Sequence, residues 1–290
     1  MSHAIIIPIY CENRNTINLC NELQNFGAEH IVVVNDGLNP KSEYFNELTS
    51  IGCHLVHLKN NNGKGASLKA GIKYAHDNLY NITGYITCDA DGQHTANDVM
   101  KISRMLDLRN GSLILGKRDY KKSKMPINIR IGNRLSSAYF KVITGKSCRD
   151  TQTGLRGIPA FLYDTVMKTK GSRFDFEMNF LTKCADMRVP FYFVNIIADC
   201  SNCSSNFRLI KDTYLIYRTP LRFATASIGC TIIDLVLFTI FAYILPSHMF
   251  FNIMLATLMA RVVSGGINFL INRKVIFGNT DNGAKQALRF

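Results

Sequence analysis

The stretch Cys88-Asp89-Ala90-Asp91-Gly92-Gln93-His94 has residue types and spacing suited to chemistry on a charged ligand. Two carboxylates at i and i+2, with an amide at i+4, are hard oxygen donors. Such donors hold Mg²⁺ or Mn²⁺ against a substrate diphosphate, and Mg²⁺ seldom receives a complete protein cage. The same aspartates could instead cap a helix starting near residue 96, and spacing alone leaves both readings open. A second concentration of charge lies at 117–134, where Lys117, Arg118, Lys121, Lys122, Lys124, Arg130 and Arg134 face one acid, Asp119. Guanidinium groups suit bidentate phosphate contacts, although a solvated basic loop has the same composition. Cys200-Ser-Asn-Cys203 has no second pair at comparable spacing, so a structural zinc is not expected. His3, His54, His57 and His76 show no ligand spacing and read as surface or strand-end residues.

The elements that must position these residues follow from hydrophobic pattern. Short β-branched runs at 4–8, 31–35, 53–57, 85–89 and 112–116 alternate with helical patterns near 13–25, 42–51, 64–78 and 97–108. Continuous apolar runs, each followed by a helix, predict a mostly parallel sheet buried on both faces, the doubly wound α/β class. Ligands of such sheets bind at the carboxyl ends of strands. That directs attention to residues 10–12, Asp36-Gly37, 89–94 and Lys117-Arg118. Residues 127–144 read as a further helix, with Pro126 suited to its first turn.

The whole chain has 290 residues, a net charge of +13 and 47% hydrophobic residues, with a mean hydropathy of +0.03. It is too apolar for disorder. The last 68 residues hold five Lys+Arg and two Asp. Residues 208–222 predict an amphipathic helix at a membrane interface, with Arg208, Lys211, Arg218 and Arg222 on its polar side. Residues 223–245 and 250–272 predict two transmembrane helices, the first reaching about 34 Å. The connection Pro246-Ser-His-Met249 lacks Lys and Arg, whereas Arg218, Arg222, Arg273 and Lys274 flank the outer ends. The positive-inside rule then expects a multi-pass hairpin in the cytoplasmic membrane, with the catalytic region in the cytoplasm. Asp234 and Arg261 fall at one depth, which predicts an intramembrane ion pair. Ala256, Ala260, Ser264 and Gly265-Gly266 form a small-residue stripe for close helix packing, and the hairpin offers a surface for homo-oligomerisation. Nine scattered cysteines and no apolar leader predict free thiols in a reducing compartment. A nucleic-acid partner is not expected, because the basic residues sit at strand ends beside carboxylates.

Taken in order, these motifs resemble glycosyltransferase family 2, inverting enzymes with the GT-A (Rossmann-like) fold, over residues 4 to about 220. Within it they resemble the polyprenyl- or dolichyl-phosphate sugar synthases. Pro8, Tyr10 and Glu12 match the opening motif that contacts the nucleoside, Asp36 the base-binding carboxylate, and Asn62-Gly63-Lys64-Gly65 the helix start that puts Lys64 at the nucleotide. The resemblance places Asp89, Asp91 and Gln93 on the metal and diphosphate motif, and Arg118 after the next strand. It places Arg130, Arg134, Asp150, Gln152 and Arg208 around the acceptor phosphate, with Gly154 and Arg156 in the motif at its floor. Glu177 matches a family acid near the acceptor. Asn35 and Leu38 depart from the family's usual Asp and Ser, which leaves the nucleoside unspecified. Residues 223–277 resemble the first half of a GtrA-like membrane domain, with a third helix beginning at Ala287-Leu-Arg-Phe290.

The resemblance implies domains at 1–207 and 223–290 joined by the amphipathic segment 208–222. It implies Mg²⁺- or Mn²⁺-dependent transfer of a hexose from a nucleotide sugar, of UDP-glucose or GDP-mannose type, to a polyprenyl phosphate. Catalysis would fall to Asp89, Asp91, Arg118 and Arg130. Other acceptors, a cell-envelope glycan or glycolipid, and a non-catalytic nucleotide-sugar-binding role beside a flippase are the alternatives. The lack of any tryptophan for a Q-x-x-R-W motif argues against a processive polysaccharide synthase.

Overall fold

The computed structural model describes residues 2–118, 127–197, 209–245 and 250–271. They divide into two units, Met1–Asp212 and Thr213–Phe290, a boundary that falls inside the amphipathic segment 208–222. The first unit begins β1 (His3–Ile9), α1 (Arg14–Asn25), β2 (His30–Asp36), α2 (Glu43–Ser50), β3 (His54–Leu58), α3 (Lys64–Asn78), β4 (Gly84–Thr87) and α4 (Ala96–Leu108). It continues through β5 (Leu113–Arg118), α5 (Ile127–Thr144), β6 (Arg156–Pro159), α6 (Tyr163–Lys168), α7 (Phe174–Asp186) and β7 (Phe191–Ile196).

The seven strands lie in the order β3-β2-β1-β4-β6-β5-β7, all parallel except β6, which pairs antiparallel with both β4 and β5. Successive side chains of β1 feed opposite faces, as a strand requires. Ile5, Ile7 and Ile9 join a core with α1, α2 and α4, and Ala4 and Ile6 join one with α3, α6 and α7. Burial on both faces explains why these strands read as unbroken apolar runs. The chain passes outward from β1 to β2 and β3, then returns to place β4 on the other side of β1. That reversal opens a crevice at the carboxyl ends of β1 and β4.

Helix α8 (Leu209–Ile244) starts in the last residues of the first unit, and the second holds the rest of it and α9 (Phe250–Ile271), with candidate membrane spans at Ser227–Ile244 and Phe251–Leu270. The interface helix expected at 208–222 and the first span are one continuous 36-residue helix, about 54 Å long. Pro220 is the only strong breaker in the segment, and a single proline removes one backbone hydrogen bond without forcing a separate helix. The Nε of Arg261 stands 3.8 Å from Asp234 Oδ2, and Ser264 Oγ donates to Asp234 Oδ1 at 2.7 Å. The ion pair expected from depth is therefore present, with a hydroxyl completing it. Ala256, Ala260 and Ser264, four apart, are buried along one side of α9, and Ser264 meets Asp234 of α8 there. Gly265 and Gly266 are not part of this contact, because a Cβ at either would meet nothing within 4 Å; they lie on other sides of the helix. The segments around Arg273, Lys274 and 287–290 lie outside the described residues.

Candidate active site

The crevice is floored by the loop after β4, and α1 holds that loop in place. Thr16 Oγ1 donates to the Ala90 carbonyl at 3.1 Å, and Asn15 Nδ2 to that of Asp91 at 3.5 Å. Gly92 turns the loop with φ +86, a conformation that costs glycine little. The helix-capping alternative for the aspartates does not hold, since Thr95 caps α4.

Asp89 is held from three sides. Lys64 Nζ, at the first position of α3, lies 2.7 Å from Asp89 Oδ1 and 3.1 Å from Glu177 Oε1 on α7. His94 Nε2 lies 3.7 Å from Asp89 Oδ2. Beneath the carboxylate runs the 150–156 segment, so close that a Cβ on Gly154 would fall 2.1 Å from Asp89 Oδ2. Burial alone would raise the Asp89 pKa, but Lys64 and then His94 outweigh it and hold the carboxyl far below its ordinary range. Burial likewise opposes the charge on Lys64, and the carboxylates of Asp89 and Glu177 reverse this, raising the amine above its usual value.

Asp91 behaves oppositely. Burial, and then the charge of Asp89, raise its pKa, and among the described residues no basic side chain lies within ion-pair distance of it. Its oxygens accept from the Gln93 backbone N–H at 3.1 Å and from the Gln93 side-chain amide. Tyr10, at the end of β1, has its phenol pushed up to about 12, by burial first, then by Cys11, and further by Asp91 and Asp89. Asp91 and Gln93 therefore offer oxygen donors where negative charge is under-compensated, which fits a hard divalent cation shared with substrate phosphates. Among the described residues no cluster of three His, Cys, Asp or Glu side chains forms a closed metal cage. Asp89, already engaged by Lys64, is placed to support that site electrostatically.

The remaining expected residues fall into two groups. Asp36 accepts from the Asn62 and Gly63 backbone amides at 2.8 and 2.9 Å, so it shapes the turn into α3 and delivers Lys64. The unusual Asn35 beside it bonds the Leu38 backbone twice and His57 Nδ1 at 3.0 Å. Pro8 is buried in β1 beside Val34, whereas Glu12 is exposed at the crevice edge. In the second group, Arg118 donates from Nε and Nη2 to Asp150 at 2.7 and 2.8 Å, with both residues buried. The next residues are stitched to α5: Thr151 Oγ1 donates to Ser136 Oγ at 2.8 Å, and Gln152 lies beside Gly132. Arg130 and Arg134 stand exposed on that helix. Asp150 thus clamps Arg118 at the end of β5. Arg208, Lys121, Lys122, Lys124, Cys200 and Cys203 lie outside the described residues.

Three residues gain roles that motif reading did not assign. Glu177 sits on Lys64 rather than beside the α5 arginines. Arg156, 2% exposed, spends its guanidinium on the Thr151, Thr153 and Glu177 carbonyls and freezes the loop under Asp89. His94 is buried beside Asp89, and among the described residues neither ring nitrogen has a hydrogen-bond partner. His94 was visible within the heptapeptide; the other two depend on contacts far apart in sequence.

Known proteins resemble both parts of the chain. The family model described as Glycosyl transferase family 2 matches residues 4–164, and that for the GtrA/DPMS transmembrane domain matches 222–290. An uncharacterised protein of Methanocaldococcus jannaschii is 32% identical, covering 61% of this chain and 73% of its own. The UDP-N-acetylglucosamine–dolichyl-phosphate N-acetylglucosaminyltransferase of Methanococcus voltae is 29% identical, covering 52% of this chain and 67% of its own. Among solved structures, the glucosyl-3-phosphoglycerate synthase of Mycobacterium tuberculosis with Mn²⁺ and UDP-glucose superposes with TM-score 0.56 at 12% identity, covering 76% of this chain and 77% of that one. The likeness to this last protein establishes the GT-A-like fold.

Proposed function

The chain belongs to glycosyltransferase family 2 and carries a GtrA/DPMS membrane domain, and from that premise we propose that it transfers a hexose from a UDP-sugar to a polyprenyl phosphate at the cytoplasmic face of a membrane. The observation that carries this reading is Asp91, under-compensated at the carboxyl end of the central strands, within a fold that also presents Arg130 and Arg134 on one exposed helix. The UDP-sugar class is supported by the donor named for the Methanococcus relative; the dolichyl-phosphate acceptor of that relative supports a lipid phosphate here.

A divalent cation bound by Asp91 and Gln93, with Asp89 behind them, supplies charge neutralisation for the donor diphosphate. The protein's own residues do the rest. Lys64 keeps Asp89 ionised and fixed, so the donor site is pre-organised. Asp150 holds Arg118 at the end of β5, and Arg130 and Arg134 receive the acceptor phosphate. A phosphate monoester with a second pKa near 6 is largely dianionic at neutral pH, so its oxygen needs no strong general base. That oxygen attacks the anomeric carbon, the bond to the β-phosphate oxygen breaks, and the nucleoside diphosphate leaves with inversion. Holding two anions in line while screening their repulsion is the catalytic task.

The test is transfer by membranes containing the protein, given labelled UDP- and GDP-sugars, dolichyl or undecaprenyl phosphate, and Mg²⁺ or Mn²⁺. A lipid-linked product from a UDP-sugar, abolished in Asp91→Asn, is expected. Product undiminished by Asp91→Asn, or none from any donor, would overturn the reading.

A further inference from the structure

The His94 side chain is buried, with the residue 4% exposed, and among the described residues neither ring nitrogen has a hydrogen-bond partner. A buried polar group without a partner costs the fold its desolvation energy and returns nothing. Kept beside a ligand crevice, such a group is suited to a partner that arrives with the ligand. The carboxylate next to it is Asp89, whose Oδ2 lies 3.7 Å from His94 Nε2. An ionised carboxylate has no proton to give, so the nitrogen facing it is assigned the hydrogen. The other oxygen of Asp89, Oδ1, is taken by Lys64 at 2.7 Å. Lys64 also meets Glu177 at 3.1 Å, and its side chain is 16% exposed, which leaves it within reach of a ligand.

We propose that His94 is a positioning residue whose role begins when the donor binds: the donor diphosphate draws Lys64 toward itself, and Asp89 then closes on His94 Nε2 and keeps its place. The inference rests on the UDP-sugar donor proposed for this site. An ammonium pairs with phosphate as well as with carboxylate, so a diphosphate seated against Asp91, with Asp89 behind it, competes for Lys64. Withdrawing the cation from a crevice carboxylate is costly unless a second donor replaces it. The gap to be closed is about 0.8 Å, from 3.7 Å to an ordinary N–H···O length of about 2.9 Å. Gly154, directly beneath Asp89, presents no side chain to obstruct the movement; a Cβ there would fall 2.1 Å from Oδ2. His94 immediately precedes Thr95, the cap of α4, so the imidazole is anchored at a helix start while the carboxylate moves.

Thermal melting of the full-length protein, with and without Mn²⁺ plus UDP, tests this and needs neither hexose nor acceptor. Leucine at 94 removes both nitrogens. In His94→Leu the unloaded Tm is expected to equal or exceed that of the wild type, because the unloaded protein loses no hydrogen bond, whereas the rise in Tm produced by Mn²⁺ with UDP should shrink by about half or more. Glutamine can bring its Nε2 donor to the place of the imidazole Nε2, and asparagine is too short. His94→Gln should therefore recover most of the rise and His94→Asn little of it. Transfer by His94→Leu should fall about 10- to 100-fold in kcat/KM, with recovery in His94→Gln. The ligand-induced rise decides: a rise undiminished in His94→Leu, whatever its unloaded Tm, makes His94 a structural residue and overturns the proposal. A rise as small in His94→Gln as in His94→Leu removes the hydrogen bond to Asp89 and also overturns it. A wild type that shows no rise with Mn²⁺ and UDP would instead refute the donor reading itself, a result distinct from failure at His94.

Discussion

Gly154→Ala isolates the packing that positions Asp89. Gly154 has no positive φ, so alanine imposes no backbone strain and the effect is steric. The added Cβ would lie 2.1 Å from Asp89 Oδ2 and 2.7 Å from Oδ1, against a floor of 3.0 Å for real contacts. The carboxylate must therefore move by about 1 Å. If that movement lengthens the Lys64 contact from 2.7 Å to about 3.7 Å, the attraction falls by about 1.6 kcal/mol at an effective dielectric of 20. Strain in the surrounding packing adds about 1–3 kcal/mol, giving a total near 3–5 kcal/mol. For a unit of this size that lowers Tm by roughly 6–20 °C. A shift of about 1 Å in a site group also costs about 100-fold in kcat/KM. Thermal melting and transfer kinetics on the same preparation check both. Gly132→Ala provides the contrast, since its Cβ would meet nothing nearer than 3.9 Å inside α5, and alanine there should stabilise by about 0.5–1 kcal/mol. Unchanged Tm and kcat/KM in Gly154→Ala would refute the argument that this glycine is required by the Asp89 carboxylate.

Lys64→Met leaves Asp89 and Glu177 buried without their shared cation and should cost about 3–5 kcal/mol, with part recovered in the Lys64→Met/Glu177→Gln double variant, measured by denaturant unfolding. Because the folded Asp89 pKa is depressed, its contribution is complete above the unfolded value of about 3.9 and is lost as pH falls through the folded value below it; in Lys64→Met that acid-side loss should shrink. The Asp91 pKa is raised, so its ionisation destabilises the folded state as pH rises through the folded value. At neutral pH Mn²⁺ with UDP should therefore raise Tm more than the two separate increments combined, and Asp91→Asn should abolish that excess. Asp234→Arg and Arg261→Asp should each impair membrane insertion, and the charge-swapped double variant should insert better than either; a double variant no better than the singles would count against the pairing in the membrane domain.

The sequence by itself determined the elements whose physics is local. Runs such as 4–8 and 31–35 announce strands buried on both faces, and the Asp89–Asp91–Gln93 spacing announces oxygen donors at a strand end. Two long apolar segments announce the hairpin, and depth along them was enough to pair Asp234 with Arg261. Tertiary structure decided everything that depends on side chains meeting across the fold. Lys64, Asp89 and Glu177 come from α3, the β4 loop and α7, and only sheet order brings them together. The clamp between Arg118 and Asp150, and the close approach of Gly154 to Asp89, are likewise set by β6 entering antiparallel between β4 and β5. That strand, Arg-Gly-Ile-Pro, opposes ordinary strand propensity and exists because the sheet has a place for it. Periodicity records which face a residue takes on its own element, whereas the partner on another element is chosen by register and topology, and a linear pattern does not carry those.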